Sequence, residues 1–123
     1  MNDEFFSFTK LAAYQRAMDL VEKVYKTLKQ FPSEERYALC DHLRRAVTAI
    51  PSNMAEGLTR YSNKEKVHFL EISYSSMMEV YCQMSIAQRL GYISQETMQG
   101  LEREIEDIAR PLSGLRKSLL PKP

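Results

Sequence analysis

LRRAVTAIPSNMAEGLTRYSNKE, residues 43–65, is the stretch whose reading decides the fold. Leu39, Leu43, Ala46 or Val47, Ile50, Met54 and Leu58 recur at spacings of three and four, the stripe of an amphipathic helix. Pro51 falls inside that stripe. A proline in a helix interior removes one backbone donor and crowds the carbonyl four residues back, at about 3 kcal/mol where the helix is exposed. Because the apolar spacing keeps phase across Pro51, the stretch predicts one helix over residues 34–59, kinked at 51. Ser62-Asn63-Lys64-Glu65 fits the capping-box pattern and predicts that the next helix starts at residue 63.

Working outward toward the N-terminus, Phe31-Pro32 ends a first helix over residues 11–30, since the residue before a proline avoids helical angles. Leu11, Tyr14, Met18, Val21, Tyr25 and Leu28 form its apolar stripe. Ser33 is the expected N-cap of the second helix, with Glu34 and Glu35 at the positive end of its dipole. Phe5, Phe6 and Phe8 are too apolar for a free tail and are expected to pack on the bundle or on a neighbouring subunit.

Toward the C-terminus, a third helix over residues 63–90 carries Val67, Leu70, Tyr74, Met77, Tyr81 and Met84 on one stripe. Phe69, Ile72, Val80 and Ile86 fall outside it, the pattern of a helix that is either central or shared with another chain. Gly91 is the expected left-handed residue closing that helix. Ser94 caps a fourth helix over residues 95–119. Its residues Met98, Leu101, Ile105, Ile108, Leu112, Leu115 and Leu119 repeat as a tight heptad, and Pro111 predicts a second kink. Pro121-Lys122-Pro123 is a stop. No strand-like alternation survives, so the fold class is all-α: an antiparallel up-down-up-down four-helix bundle, oligomeric, filling one domain over residues 1–123.

The 123 residues carry a net charge of +1, which argues against a strongly basic nucleic-acid binder of the histone kind. The acidic start MNDEFFSF lacks the basic region of a signal peptide, and no apolar run approaches the ~20 residues of a membrane span. Cys40 and Cys82, without a CxxC partner, read as free core thiols of a reducing, cytoplasmic protein.

Chemistry-bearing constellations are sparse. Glu65-x-x-His68 is half of a di-iron pattern, but His42 has Leu39 where the second glutamate belongs, so no metal site is expected. Cys40 and His42, two apart on a helix, point in different directions. The four glycines are scattered and form no phosphate loop. No catalytic residue and no cofactor is expected.

Two polar sets remain. Arg44, Arg45, Arg60, Lys64 and Lys66 outnumber Glu56 and Glu65 between residues 44 and 68, with Tyr61 interleaved, and form a candidate phosphate-contacting patch. Arg45, Ser52, Asn53 and Glu56 share one side of the second helix. They read either as an internal network, with Arg45 or Arg60 meeting Glu56 and Ser52 bonding back to the backbone, or as a polar contact surface. With Phe69, Ile72 and Val80 they form the candidate interface set.

Phe31-Pro32-Ser33-Glu34-Glu35-Arg36-Tyr37, Leu43-Arg44-Arg45-Ala46, Ile50-Pro51-Ser52-Asn53-Met54-Ala55-Glu56-Gly57, Ser62-Asn63-Lys64-Glu65 and Leu90-Gly91-Tyr92-Ile93 occur in that order. In these blocks the chain resembles the four-helix-bundle family of 23S rRNA intervening-sequence proteins over nearly its whole length. Pro111 departs from the pattern. The resemblance implies an antiparallel bundle assembling as a homopentamer, and a bacterial setting. A similar protein, the accessory subunit of diversity-generating retroelements, is a basic pentamer that binds nucleic acid and a reverse transcriptase. The expectation is therefore a non-enzymatic oligomer that binds RNA or DNA, with or without a protein partner and away from membranes. The rival expectation is a structural or protein-interaction module without nucleic-acid affinity.

Overall fold

The computed structural model describes residues 5–122 and contains four α-helices and no strand among them. They are α1 (Ala12–Leu28), α2 (Leu39–Leu58), α3 (Asn63–Arg89) and α4 (Gln95–Leu119). Residues 1–4, which hold the acidic start, and the terminal Pro123 lie outside the described residues. Each helix touches two others, α1 on α2, α2 on α3, α3 on α4 and α4 on α1, closing a ring around one core. The α2–α3 seam is the most extensive.

The helix ends follow the expected chemistry in α3 and α4. The Glu65 amide donates to Ser62 Oγ at 3.1 Å and the Thr97 amide to Ser94 Oγ at 3.0 Å, each satisfying one orphan donor. Gly91 takes φ +83°, and the Tyr92 amide reaches back to the Ala87 carbonyl at 2.9 Å, the paired closure of a Schellman turn. On α4, Met98, Leu101, Ile105, Ile108 and Leu112 are buried and Leu115 and Leu119 pack against them, as the heptad requires.

The second helix begins later than expected. Pro32 is extended, Ser33–Glu35 form one 3-10 turn, and regular helix starts only at Leu39. Ser33 makes no side-chain cap. Glu35 is held instead by the Tyr92 hydroxyl, which donates to its carboxylate at 2.7 Å, while Phe31 packs on the Tyr92 ring. This clamp ties the α1–α2 connection to the α3–α4 turn.

The core face of α1 also differs. Its buried residues are Ala13, Ala17, Leu20, Val24, Thr27 and Leu28, whereas Met18 and Tyr25 are exposed. One residue of offset turns a helix by about 100°, so the large side chains sit on the flank and small ones face the seam. Small residues let helix axes approach closely. Thr27 is buried without penalty because its hydroxyl donates to the Lys23 carbonyl at 2.8 Å. The same substitution of small for large recurs in α3, where Ser73 and Val80 are fully buried while Tyr74 is exposed and Tyr81 half-buried.

α2 runs through Pro51 as one helix, with Leu43, Ile50 and Met54 all buried. The proline sits in the core, where its ring fills apolar space and the carbonyl of Val47 loses its helical donor. Ser73 of α3 donates its hydroxyl to the Ile50 carbonyl at 2.9 Å, a buried bond at the Ile50–Pro51 peptide. Further along the seam, Gly57 lies flush against Phe69, and a Cβ at that position collides with the Phe69 side chain. Gly57 is thus required by close approach.

Candidate nucleic-acid interface

The chain leaves α2 at Thr59, whose hydroxyl donates to the Ala55 carbonyl at 3.0 Å, and the Arg60 amide closes on the Gly57 carbonyl at 3.0 Å. Two residues later Ser62 caps α3. A turn this short, fixed at both ends, projects what lies between. Arg60 folds back so that its guanidinium carbon stands 4.8 Å from the Phe69 ring centroid, a cation–π contact above the Gly57 approach. Tyr61 is fully exposed, at 102% of its reference area. Lys64 is exposed and Lys66 half-buried, and neither has an ion-pair partner among the described residues. Arg60, Lys64 and Lys66 therefore flank one turn, the two lysines on different sides of the first turn of α3, with Glu56 and Glu65 the acids nearest in the chain.

The other two members of the basic set lie elsewhere. From Arg45 to the end of α2 at Leu58 is about 20 Å at 1.5 Å per residue, and Arg60 lies two residues beyond that end. Arg44 is engaged, donating to Asp41 Oδ1 at 2.8 Å. Arg45 is exposed on the outer side of α2. The five candidate cations thus divide into three that flank the α2–α3 turn and two further back along α2.

The polar side of α2 resolves as separate groups. Asn53 donates to the Ala49 carbonyl and Thr48 to the Arg44 carbonyl, both at 2.8 Å. Glu56 makes no ion pair and Ser52 no hydrogen bond among the described residues, so the expected internal network is not formed. Arg45, Ser52 and Glu56 face outward unsupported. Of the apolar interface candidates, Val80 is a core residue at 0% exposure, because the buried stripe of α3 passes through it. Phe69 is half-buried between Gly57 and Arg60, and Ile72 is half-buried.

Two features escaped the sequence pattern. One is the flank of α1, where Tyr14 and Val21 are half-buried and Met18 and Tyr25 are each 42% exposed. Reading that stripe as core hid it. Phe8 packs edge-on against Tyr14, with ring centroids 5.3 Å apart, while Phe5 and Phe6 remain exposed. The second is a cleft of about 550 Å³ between the first turns of α3 and the end of α4, lined by Asn63, Lys64, Val67, His68, Glu71, Leu119, Leu120 and Pro121. Glu71 is neutralised there by Arg116, which donates through Nε and Nη2 to one carboxylate oxygen at 2.9 and 2.6 Å. No sequence spacing announces a cleft made by residues some fifty positions apart. Its signal was the apolar Leu119-Leu120-Pro121 run at a helix end.

A larger surface groove of about 770 Å³ runs along α1 and the start of α4 and is lined by charges of both signs, and nearby Lys23 pairs with Glu104 at 3.0 Å. No group of three or more His, Cys, Asp or Glu side chains with metal-binding geometry occurs among the described residues. Cys40 is buried, and burial pushes its thiol pKa up, with Arg44 opposing in part. His42 is exposed, so the two do not meet. Cys82 is exposed, which corrects the expectation of two core thiols. No helix among the described residues is long and apolar enough to cross a membrane.

Residues 9–114 match the model of a family described as 23S rRNA-intervening sequence protein. No curated protein matches the sequence. In structure the chain is similar to a protein of unknown function from the S23 ribosomal protein family of Bacteroides thetaiotaomicron, known from its crystal structure. The TM-score is 0.78 over 85% of this chain and 95% of that one, at 17% identity, a likeness of fold.

Proposed function

The chain belongs to the family of 23S rRNA-intervening sequence proteins, and from that premise we propose that it is a non-enzymatic, cytoplasmic, self-assembling helical bundle that binds RNA or DNA. The observation that carries this reading is the α2–α3 corner. Arg60, Lys64 and Lys66 flank the turn that carries a fully exposed Tyr61, and neither lysine is neutralised by an ion pair among the described residues. Unpaired cations beside an exposed aromatic ring suit a phosphate backbone better than they suit a solvated helix face. The modest net charge of +1 fits a local patch that becomes a ring of patches when copies assemble. An antiparallel arrangement is supported by Ile50 meeting Ser73 while Gly57 meets Phe69, since positions descend on one helix as they rise on the other. Assembly is supported by the exposed Met18, Tyr25, Tyr74, Met78 and Ile86, and five copies is the number the family resemblance implies.

The test is fluorescence anisotropy with labelled RNA and DNA across a salt series. The expected result is measurable affinity at low salt, with a log K against log salt slope that falls by about 0.7–0.9 for each phosphate contact removed by Arg60→Glu, Lys64→Glu or Lys66→Glu. Arg45→Glu, on the far part of α2, is expected to leave the slope unchanged. No affinity for either nucleic acid at low salt overturns the reading. The exposed α1 flank favours a second reading, a protein-interaction module, and a partner captured through Met18 and Tyr25 without nucleic-acid affinity would establish it instead.

A further inference from the structure

We infer that the end of the bundle built by the α2–α3 turn and the last turn of α4 is a cleft for unpaired nucleotides, and that it discriminates single strands from duplex. The inference rests on the nucleic-acid reading above and adds to it the class of substrate and the groups that read it.

The cleft has the composition a base requires. Val67, Leu119, Leu120 and Pro121 give it an apolar floor, and its volume of about 550 Å³ lies within the ~300–1,000 Å³ of pockets that hold planar, drug-sized ligands. Polar groups stand at the rim: Asn63, Lys64 and His68. The one acid of the lining, Glu71, has its charge taken up by Arg116, so Lys64 is the uncompensated charge that the lining presents to a ligand. An apolar floor beneath a cationic rim is complementary to a nucleotide, whose base is apolar on its faces and whose phosphate is an anion. It is poorly matched to an apolar peptide, which leaves Lys64 and His68 without partners, and to a second basic end of this same chain.

Tyr61 extends the surface. It lies two residues before Asn63, which lines the cleft, and therefore within about 7 Å of it along the backbone. Its ring is uncovered on both faces, because the neighbouring Arg60 is turned onto Phe69 instead. A bare aromatic ring beside a cationic cleft is the arrangement on which successive bases stack. In duplex the bases are stacked on one another and paired, and neither the cleft nor Tyr61 reaches them. Phosphates remain available to Arg60, Lys64 and Lys66 in both forms. Duplex is thus held by charge alone, single strands by charge and stacking together.

The experiment compares a labelled oligouridylate with a labelled RNA duplex of equal length on the assembled full chain. Wild type is expected to prefer the single strand. Tyr61→Ala is expected to weaken the single strand by roughly 5- to 150-fold, the range for one lost base stack, with duplex affinity unchanged and Tyr61→Phe restoring the preference. Leu120→Asp, at a 37% exposed position past the end of α4, is expected to act in the same direction without unfolding the chain, which circular dichroism checks. Equal affinity of wild type for the two probes, or equal loss of both on Tyr61→Ala, overturns this inference and leaves the charge-based reading standing. Binding of neither probe overturns both. A variant that loses single-strand affinity only because its assembly mass falls in light scattering marks this end as a subunit contact and also overturns the inference.

Discussion

The α2–α3 seam and the α1–α4 groove join the same bundle by opposite means. Along α2–α3 the helices approach until Gly57 lies against Phe69 and Ser73 bonds the carbonyl beside Pro51. Backbone and small side chains do the joining, and water is excluded. Along α1 and the start of α4 runs a surface groove of about 770 Å³, and nearby the long side chains of Lys23 and Glu104 pair. Dry contact is specific because each atom removed leaves a void or an orphaned group. A solvated ion pair is adaptable and worth little. The most extensive helix seam thus lies on one side of the molecule, and the basic turn is mounted at its end.

The comparison can be broken at its strongest point. Ile50→Ala empties a fully buried position beside Pro51 and is expected to lower stability by about 2–5 kcal/mol, measured by urea unfolding. A loss below 1 kcal/mol would show that the seam collapses freely and is not closely packed. Next, Gly57→Ala forces Phe69 and the Arg60 stacked on it to move, at about 1–3 kcal/mol. The same substitution at Gly114, where an added Cβ meets nothing within 4 Å, is expected to be neutral or slightly stabilising, which makes it the control. On the other side, a double-mutant cycle over Lys23 and Glu104 is expected to give a coupling below about 1 kcal/mol, reduced further by salt, since both side chains are partly solvated. A coupling as large as the Gly57 effect would erase the contrast.

The smallest effect is absent at neutral pH. The hydrogen bond to Glu35, followed by burial, holds the Tyr92 phenol above its ordinary pKa. A group whose folded pKa is raised contributes stability that is present below the unfolded value and lost as pH climbs through the folded one. Thermal midpoints are therefore expected to fall above about pH 10, more steeply in wild type than in Tyr92→Phe.

What was legible in the sequence were features that act locally. Ser62 and Ser94 cap, Gly91 closes, and the α4 heptad buries its own residues, because each requires only neighbours in the chain. The stripes of α1 and α3 misled where fit outweighs size. Tyr14, Met18 and Tyr25 look like core, but Ala13, Ala17 and Ser73 are what close helix approach selects. Ser33 looked like a cap because Glu34 and Glu35 follow it, yet Glu35 answers to Tyr92, a residue no local window contains. At the candidate site, five cations read as one patch in the sequence, but only residues 60, 64 and 66 flank one turn, while Arg44 and Arg45 lie back along α2. The cleft was not legible, because three of its eight lining residues come from the end of α4 and just beyond it.

The Tyr92–Glu35 clamp also sets an order of events. Its partners are 57 residues apart, against 23 for Ser73 and Ile50 across the α2–α3 seam. Closing the longer loop costs about 0.8 kcal/mol more entropy, from three-halves RT times the logarithm of the length ratio. The packed pair of α2 and α3 is therefore expected to assemble first, with α1 and α4 docking afterwards and the clamp closing last. In stopped-flow measurements Ile50→Ala should slow refolding, whereas Tyr92→Phe should leave refolding unchanged and speed unfolding. The contact that fastens the two connections at that end of the bundle is then a latch on the finished fold, opening before the seam does.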